Sequence, residues 1–382
     1  MTGKQKLWPH QERIIKENKP RIIIAHEMRT GKSIIGAEWL KNQPGDEKIT
    51  VCPKQLKKDW EAFGTKAQIL SKEEFKKIAP YLENVSAILI DEAHYFAAPL
   101  FIKGRSKLAT ALYGLIKRNP DMHVMLLTAT PIRNNAWSLH TLLCYIGVYY
   151  DWKQWREEFF SLEWPPYLTH PIWMPKADWR IKIRKYLEKH CDIVSLKDIV
   201  EYLPPATEKI IKIKQKPYKR PIDKLVTWTD EHRWEQQGKA EEIMKLGYRK
   251  LVVIVHFTAQ IDELEAILSK EKPVFVLDGR TKDAPMVKLQ AQEASDCYFI
   301  VQSSMAFGWD GYMFGAMVFA SMSHSCVNHT QALGRSRHLK HLQPLTYYYL
   351  IGGKWDERIY QTVAVQGKEF NPHIYLANDN RV

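Results

Sequence analysis

"RIIIAHEMRTGKSIIG", Arg21 to Gly36, opens on a run of isoleucines, crosses a polar loop and ends on an apolar-rich helical pattern. Strand, loop and helix in that order predict a parallel α/β unit with an anion site at the helix N-terminus. The closing Gly31-Lys32-Ser33 sharpens that expectation to a nucleotide phosphate. Gly31 lets the backbone approach, Lys32 reaches the β- and γ-phosphates, and the Ser33 hydroxyl can ligate Mg²⁺. The glycine expected five residues before Gly31 is missing, and His26 stands there. Converging backbone N–H groups and the helix dipole can hold a phosphate without it. Arg29 and Thr30 complete the loop, Arg29 either touching phosphate or projecting into solvent.

Outward from this loop, the runs "RIIIAH", "KITVCP", "SAILID" and "HVMLLTAT" alternate with helix-like segments up to residue 147. Short, continuous, β-branched runs suit strands buried on both faces, so this part reads as a doubly wound parallel-sheet lobe. The alternation returns in "KLVVIVHF", "PVFVLD", "CYFIVQS", "AMVFAS" and "LTYYYLI", predicting a second lobe of the same class. The fold class is therefore α/β, with an N-terminal lobe over 1–147, a linker and insertion over 148–205, and a C-terminal lobe over 206–382. Trp152, Trp155, Trp164, Trp173 and Trp179 crowd the insertion with Pro165, Pro166, Pro171 and Pro175. They either brace the lobes as a satellite core or stack on bases.

The partner of the loop is "SAILIDEAH" (86–94), which puts Asp91 and Glu92 at the C-terminal end of a buried strand. That end of a doubly wound sheet faces the same crevice as the phosphate loop. Asp91 can then hold Mg²⁺, through water, and Glu92 can polarise an attacking water.

Bulk properties agree with a polyanion-binding protein. The formal net charge is +13 over 382 residues, and neutralising phosphates is the sequence-independent part of nucleic-acid affinity. Five scattered cysteines argue against a disulfide framework or a zinc cluster. No apolar run reaches the ~18 residues of a membrane span. The opening "MTGKQKLWPHQ" lacks a secretory core, so a cytosolic setting is expected.

In order along the chain, "TGKS", "DEAH", "LLTATPIRNN" and "QALGRSRH" resemble the superfamily-two helicase and translocase motor. "VCPKQLKKDW" (51–60), "YLPPATEKIIKI" (202–213) and "YYYLIGGKWDERIY" (347–360) narrow the likeness to Swi/Snf-type ATPases in their compact phage and bacterial form. The resemblance implies two tandem RecA-like lobes closing on ATP and Mg²⁺. It implies that Gln11 of "LWPHQ" reads the adenine edge and that Lys54 binds a nucleic-acid phosphate. Ser303 and Ser304 are implied near the nucleic-acid backbone, while His94, Thr128 and Thr130 couple nucleotide state to strand grip. Gly308 and Asp310 of "FGWDG", with Gln331, would line the cleft, and Arg335 would be the arginine finger.

One departure concerns that finger. The family pattern has a second arginine three residues after the first, but position 338 is His338 and Arg337 precedes it. One helical residue turns by about 100°, so Arg337 is an uncertain second cation and Arg335 the principal one. The expected activity is an ATP-dependent, monomeric translocase on double-stranded DNA in replication, recombination or repair. The alternatives are a strand-separating or branch-migrating helicase on DNA or RNA, and a nucleic-acid-binding scaffold with a vestigial ATPase.

Overall fold

Fourteen strands form among the described residues of the computed structural model: 7–100, 106–132, 135–165, 169–199, 206–213, 236–305, 309, 311, 313–336 and 344–365. They are β1 (Arg21–Ile24), β2 (Lys48–Cys52), β3 (Gln68–Ser71), β4 (Ala87–Asp91), β5 (His123–Leu127), β6 (Phe160–Glu163) and β7 (Ile172–Pro175). The series continues with β8 (Cys191–Asp192), β9 (Ala206–Lys212), β10 (Lys250–Val255), β11 (Val274–Leu277), β12 (Cys297–Gln302), β13 (Ala316–Phe319) and β14 (Leu345–Ile351). Two six-stranded sheets result, ordered β3-β2-β4-β5-β1-β8 and β11-β12-β10-β13-β14-β9. Every pairing within them is parallel. The α/β class and two parallel-sheet units read from the sequence are both present.

The chain divides into one unit reaching to residue 201 and another spanning 202–368. In the first, successive residues of each strand serve opposite layers, as the pleat dictates. Ile22, Ile24, Leu89, Met125 and Leu127 pack with Ile35, Trp39 and Leu40 of the helix Lys32–Lys41. Ile23, Val51, Ile88, Ile90, Val124 and Leu126 face the other layer, built on the helices Lys107–Arg118 and Trp137–Tyr145. Gly36 lets the first helix lie close: a Cβ there would come within 2.6 Å of Leu89 Cδ1. In the second unit Leu251, Val253, Ile300, Val318 and Leu350 form the layer under the helices Gln236–Lys245 and Thr258–Leu268.

The segment expected as linker and insertion is built into the first unit as far as residue 199. The helix Trp152–Phe159, the antiparallel β6–β7 hairpin and the helix Trp179–His190 lead into β8, which pairs with β1 at the sheet edge. The reason is burial of its aromatic side chains. Trp155 is 1% exposed and donates Nε1–H to the Ala136 carbonyl at 3.2 Å, Trp179 is buried, and Trp137 stacks on Phe160. Trp164 alone of the five tryptophans is largely exposed, at 66%. No helix of the described residues is long and apolar enough to cross a membrane.

Candidate nucleotide site in the first unit

Strand register brings the predicted groups to one edge of the sheet. Ile24, the last residue of β1, pairs with Leu127, which pairs in turn with Asp91 at the end of β4. The phosphate loop, Asp91, Glu92 and Thr128 therefore all leave the C-terminal ends of adjacent strands, where ligands bind in open parallel sheets. Exposed Lys54 follows β2 at the same edge.

The loop turns on two left-handed residues, Arg29 (φ 68°) and Gly31 (φ 77°). Gly31 is required twice. Its φ favours glycine, and a Cβ would lie only 2.2 Å from Gln11 Nε2. Lys32 opens the helix, and its Nζ donates to the carbonyls of His26 at 3.0 Å and Glu27 at 2.9 Å. Thr30 is buried with its hydroxyl on the Glu27 carbonyl, Ser33 is half-buried in the first turn, and Arg29 is half-buried rather than extended into solvent. Gln11 braces this loop: Oε1 accepts the Trp8 N–H at 2.9 Å, and Nε2 donates to the Thr30 carbonyl at 3.2 Å. The adenine-reading amide expected from the sequence is thus engaged with the loop itself.

Asp91 is buried and receives two donors, Trp60 Nε1–H at 3.0 Å and the Glu92 N–H at 3.0 Å. Burial, then the neighbouring Glu92 charge, push its carboxyl up to about 6 against the opposing pull of Trp60 and Lys32. Glu92 takes φ 53°, a strained left-handed conformation for a long side chain, and its Oε2 lies 3.1 Å from His94 Nδ1. His94 is buried, and Thr128 Oγ1 accepts the Thr130 N–H at 3.0 Å within the turn after β5.

A raised Asp91 pKa carries a sign that can be measured. The folded, nucleotide-free protein holds this proton more tightly than the unfolded chain, so the associated stability is present at low pH and lost as pH rises through about 6. Between pH 7.5 and 5, the melting temperature of the protein is expected to move in its favour relative to Asp91→Asn, by a shift on the order of a few degrees. Paired thermal scans in the absence of nucleotide and Mg²⁺ test this; a pH-independent gap overturns it.

In the second unit, Gln331 and Arg335 lie four residues apart on the helix Cys326–Ser336 and so share a face. Gln331 is buried and Arg335 half-buried, its carbonyl accepting the Gly311 N–H at 3.0 Å. Ser304 is exposed, but Ser303 is buried with Oγ 2.9 Å from His256 Nδ1, inside a polar knot that includes Ser321 and Gln260. Gly308, Asp310 and Arg337 lie outside the described residues. Trp60 was not singled out from the sequence, although it ends "VCPKQLKKDW"; its role depends on β4 lying beside it, which no local pattern reveals.

Fold and site together define a superfamily-two helicase/translocase motor. The SNF2-related domain model matches residues 65–260, and the chain belongs to that family. No curated relative matches the sequence. Among solved structures, S. cerevisiae Dbp5 bound to RNA and ADP–BeF3 is similar over 96% of this chain and 88% of its own, with TM-score 0.56 and 13% identity. A Dbp5 variant bound to Gle1 and IP6 is similar over 95% and 87%, with TM-score 0.52 and 13% identity. The two parallel six-stranded sheets match the tandem RecA-like lobes of these structures.

Proposed function

We propose that this protein hydrolyses ATP to translocate along double-stranded DNA. The observation that carries the reading is the register that brings the ends of β1 and β4 to one side of the sheet, the loop to Lys32 following β1 and Glu92 following Asp91. Lys32 exchanges two loop carbonyls for phosphate oxygens, and the loop amides around Gly31 accept the rest of the anion. Ser33 and Asp91 would hold Mg²⁺. That assignment fits a buried carboxylate and a hydroxyl in the first turn of the loop's helix, because Mg²⁺ takes most of its ligands from phosphates and water. Bound there, Mg²⁺ would neutralise phosphate charge. Glu92 orients the attacking water and takes its proton, and Arg335 stabilises the charge developing on the transferred group.

The polymer is assigned from charge and family. A net charge of +13 suits contacts with phosphates rather than bases, and a translocase has to tolerate every sequence. The resemblance to Swi/Snf-type motors implies duplex tracking, whereas the similar Dbp5 structure holds RNA. A phage or bacterial role in DNA replication, recombination or repair accompanies this reading.

Turnover measured on single-stranded, duplex, forked and four-way DNA and on RNA, at stated salt, tests it. Duplex DNA is expected to stimulate most, with displacement of a third strand from a triplex and no unwinding of a blunt duplex. Log affinity should fall against log salt with a slope of about −0.9 per neutralised phosphate. Stimulation by RNA alone, or unwinding of forks, would favour a strand-separating helicase; no turnover on any polymer would favour a scaffold.

A further inference from the structure

His26 and Glu27, the residues that replace the usual glycine turn at the start of the loop, are both held by one distant segment. Asp192, 166 residues further along the chain, places Oδ1 2.7 Å from His26 Nε2. His26 is fully buried, and burial first, then Lys32 and His10, hold its ring below the ordinary histidine range despite Asp192. The ring is therefore neutral and donates Nε2–H to the carboxylate. Three residues beyond Asp192, the Ser195 hydroxyl donates to Glu27 Oε2 at 3.1 Å and the Leu196 N–H donates to the same oxygen at 2.8 Å. The backbone repeats the pairing: Ala25 N–H donates to the Asp192 carbonyl at 2.8 Å and Glu27 N–H to the Val194 carbonyl at 2.9 Å.

Those same two loop residues supply the carbonyls that hold Lys32. A chain of direct contacts thus runs from the segment 191–196, through His26 and Glu27, to the amine that meets the phosphates. Asp192 also receives Arg13 at 2.8 Å, from the helix Pro9–Glu17 that carries Gln11 to the Thr30 carbonyl. Both flanks of the loop are therefore tied to one carboxylate. A half-buried charge with two hydrogen-bonded partners is a costly way merely to fill space, and its gain is a single geometry for the groups it joins.

We propose that the strap 191–196 is a positioning element of the nucleotide site, in which Asp192 and the Ser195–Leu196 turn lock the phosphate loop in its binding shape through His26 and Glu27. The proposal rests on the reading of this loop as an ATP site. Asp192 and Ser195 touch no reacting atom; they act through the loop, so their loss should weaken nucleotide binding before it slows chemistry.

The test compares the full-length protein with Asp192→Asn, His26→Asn and the double variant, measuring KM for ATP, kcat, Kd for a fluorescent ADP analogue and melting temperature. Asp192→Asn is expected to raise KM and Kd by about tenfold, the scale of a charged hydrogen bond, with kcat changed by less than about twofold. The double variant should be no worse than the worse single one, because both weaken the same charged contact. Should Asp192→Asn not fold, Ser195→Ala, which removes one hydroxyl, is expected to raise KM by about threefold. A folded Asp192→Asn protein with wild-type KM, single effects that multiply in the double variant, or an unchanged KM in Ser195→Ala would each overturn the proposal. Failure of the ATP reading is distinguishable, because the wild-type protein itself would then show neither turnover nor affinity for the analogue.

Discussion

Lys32→Ala is expected to remove ATP turnover, lowering kcat/KM by about 10³ or more. Lysine carries a compact charge on a flexible stem, and here that charge rests on the carbonyls of His26 and Glu27. Moving it to phosphate oxygens exchanges neutral acceptors for anionic ones, and the gain grows as charge spreads over the transferred group. Alanine retains the helix, because it is the best helix former and Lys32 is half-exposed. The melting temperature should therefore stay within a few degrees while phosphate release falls to background. A variant that kept a tenth of wild-type turnover would show that this loop is not where the γ-phosphate is bound.

Glu92→Gln is the second large effect, and it should separate binding from chemistry. Glutamine keeps the length of the side chain and can occupy the same left-handed backbone (φ 53°) at similar strain. It cannot take a proton from water. A fall in kcat of about 10²–10⁴ is expected, with the Kd for ATP within a few-fold of the wild-type value. Asp91 Oδ1 accepts from the backbone N–H of residue 92, a donor that the substitution keeps. Single-turnover kinetics on protein preloaded with ATP would read the chemical step directly. An unchanged rate there would move the base elsewhere in the site.

Much of the site was legible before folding because its parts are local. Gly31-Lys32-Ser33 is a strand-to-helix loop in sequence and in structure, and Asp91-Glu92 ends a strand whose apolar run announces it. The alternating runs gave nine strands of the two sheets, because continuous apolar residues are what a strand covered on both faces requires. β8 could not be found this way. Two residues, one of them an aspartate, carry no period, and the strand exists only because β1 offers it an unpaired edge. Gln11 and Ser303 differ in another way. Their residue types suit ligand contact, and only packing adds the bonds of Gln11 to the Thr30 carbonyl and of Ser303 to His256.

The sequence by itself determined the fold class, the order of the phosphate loop and acidic strand end, and the family motifs, since each is written in neighbouring residues. Only the tertiary structure decided that Cys191 and Asp192 complete the first sheet, that Trp60 holds Asp91, and that Asp192 reaches back to His26. These are pairings across long chain separations, and the physical cause is common to all three. A buried polar group has to find a partner in whatever neighbours the packed sheet brings to it, and sequence distance places no limit on which residue that is.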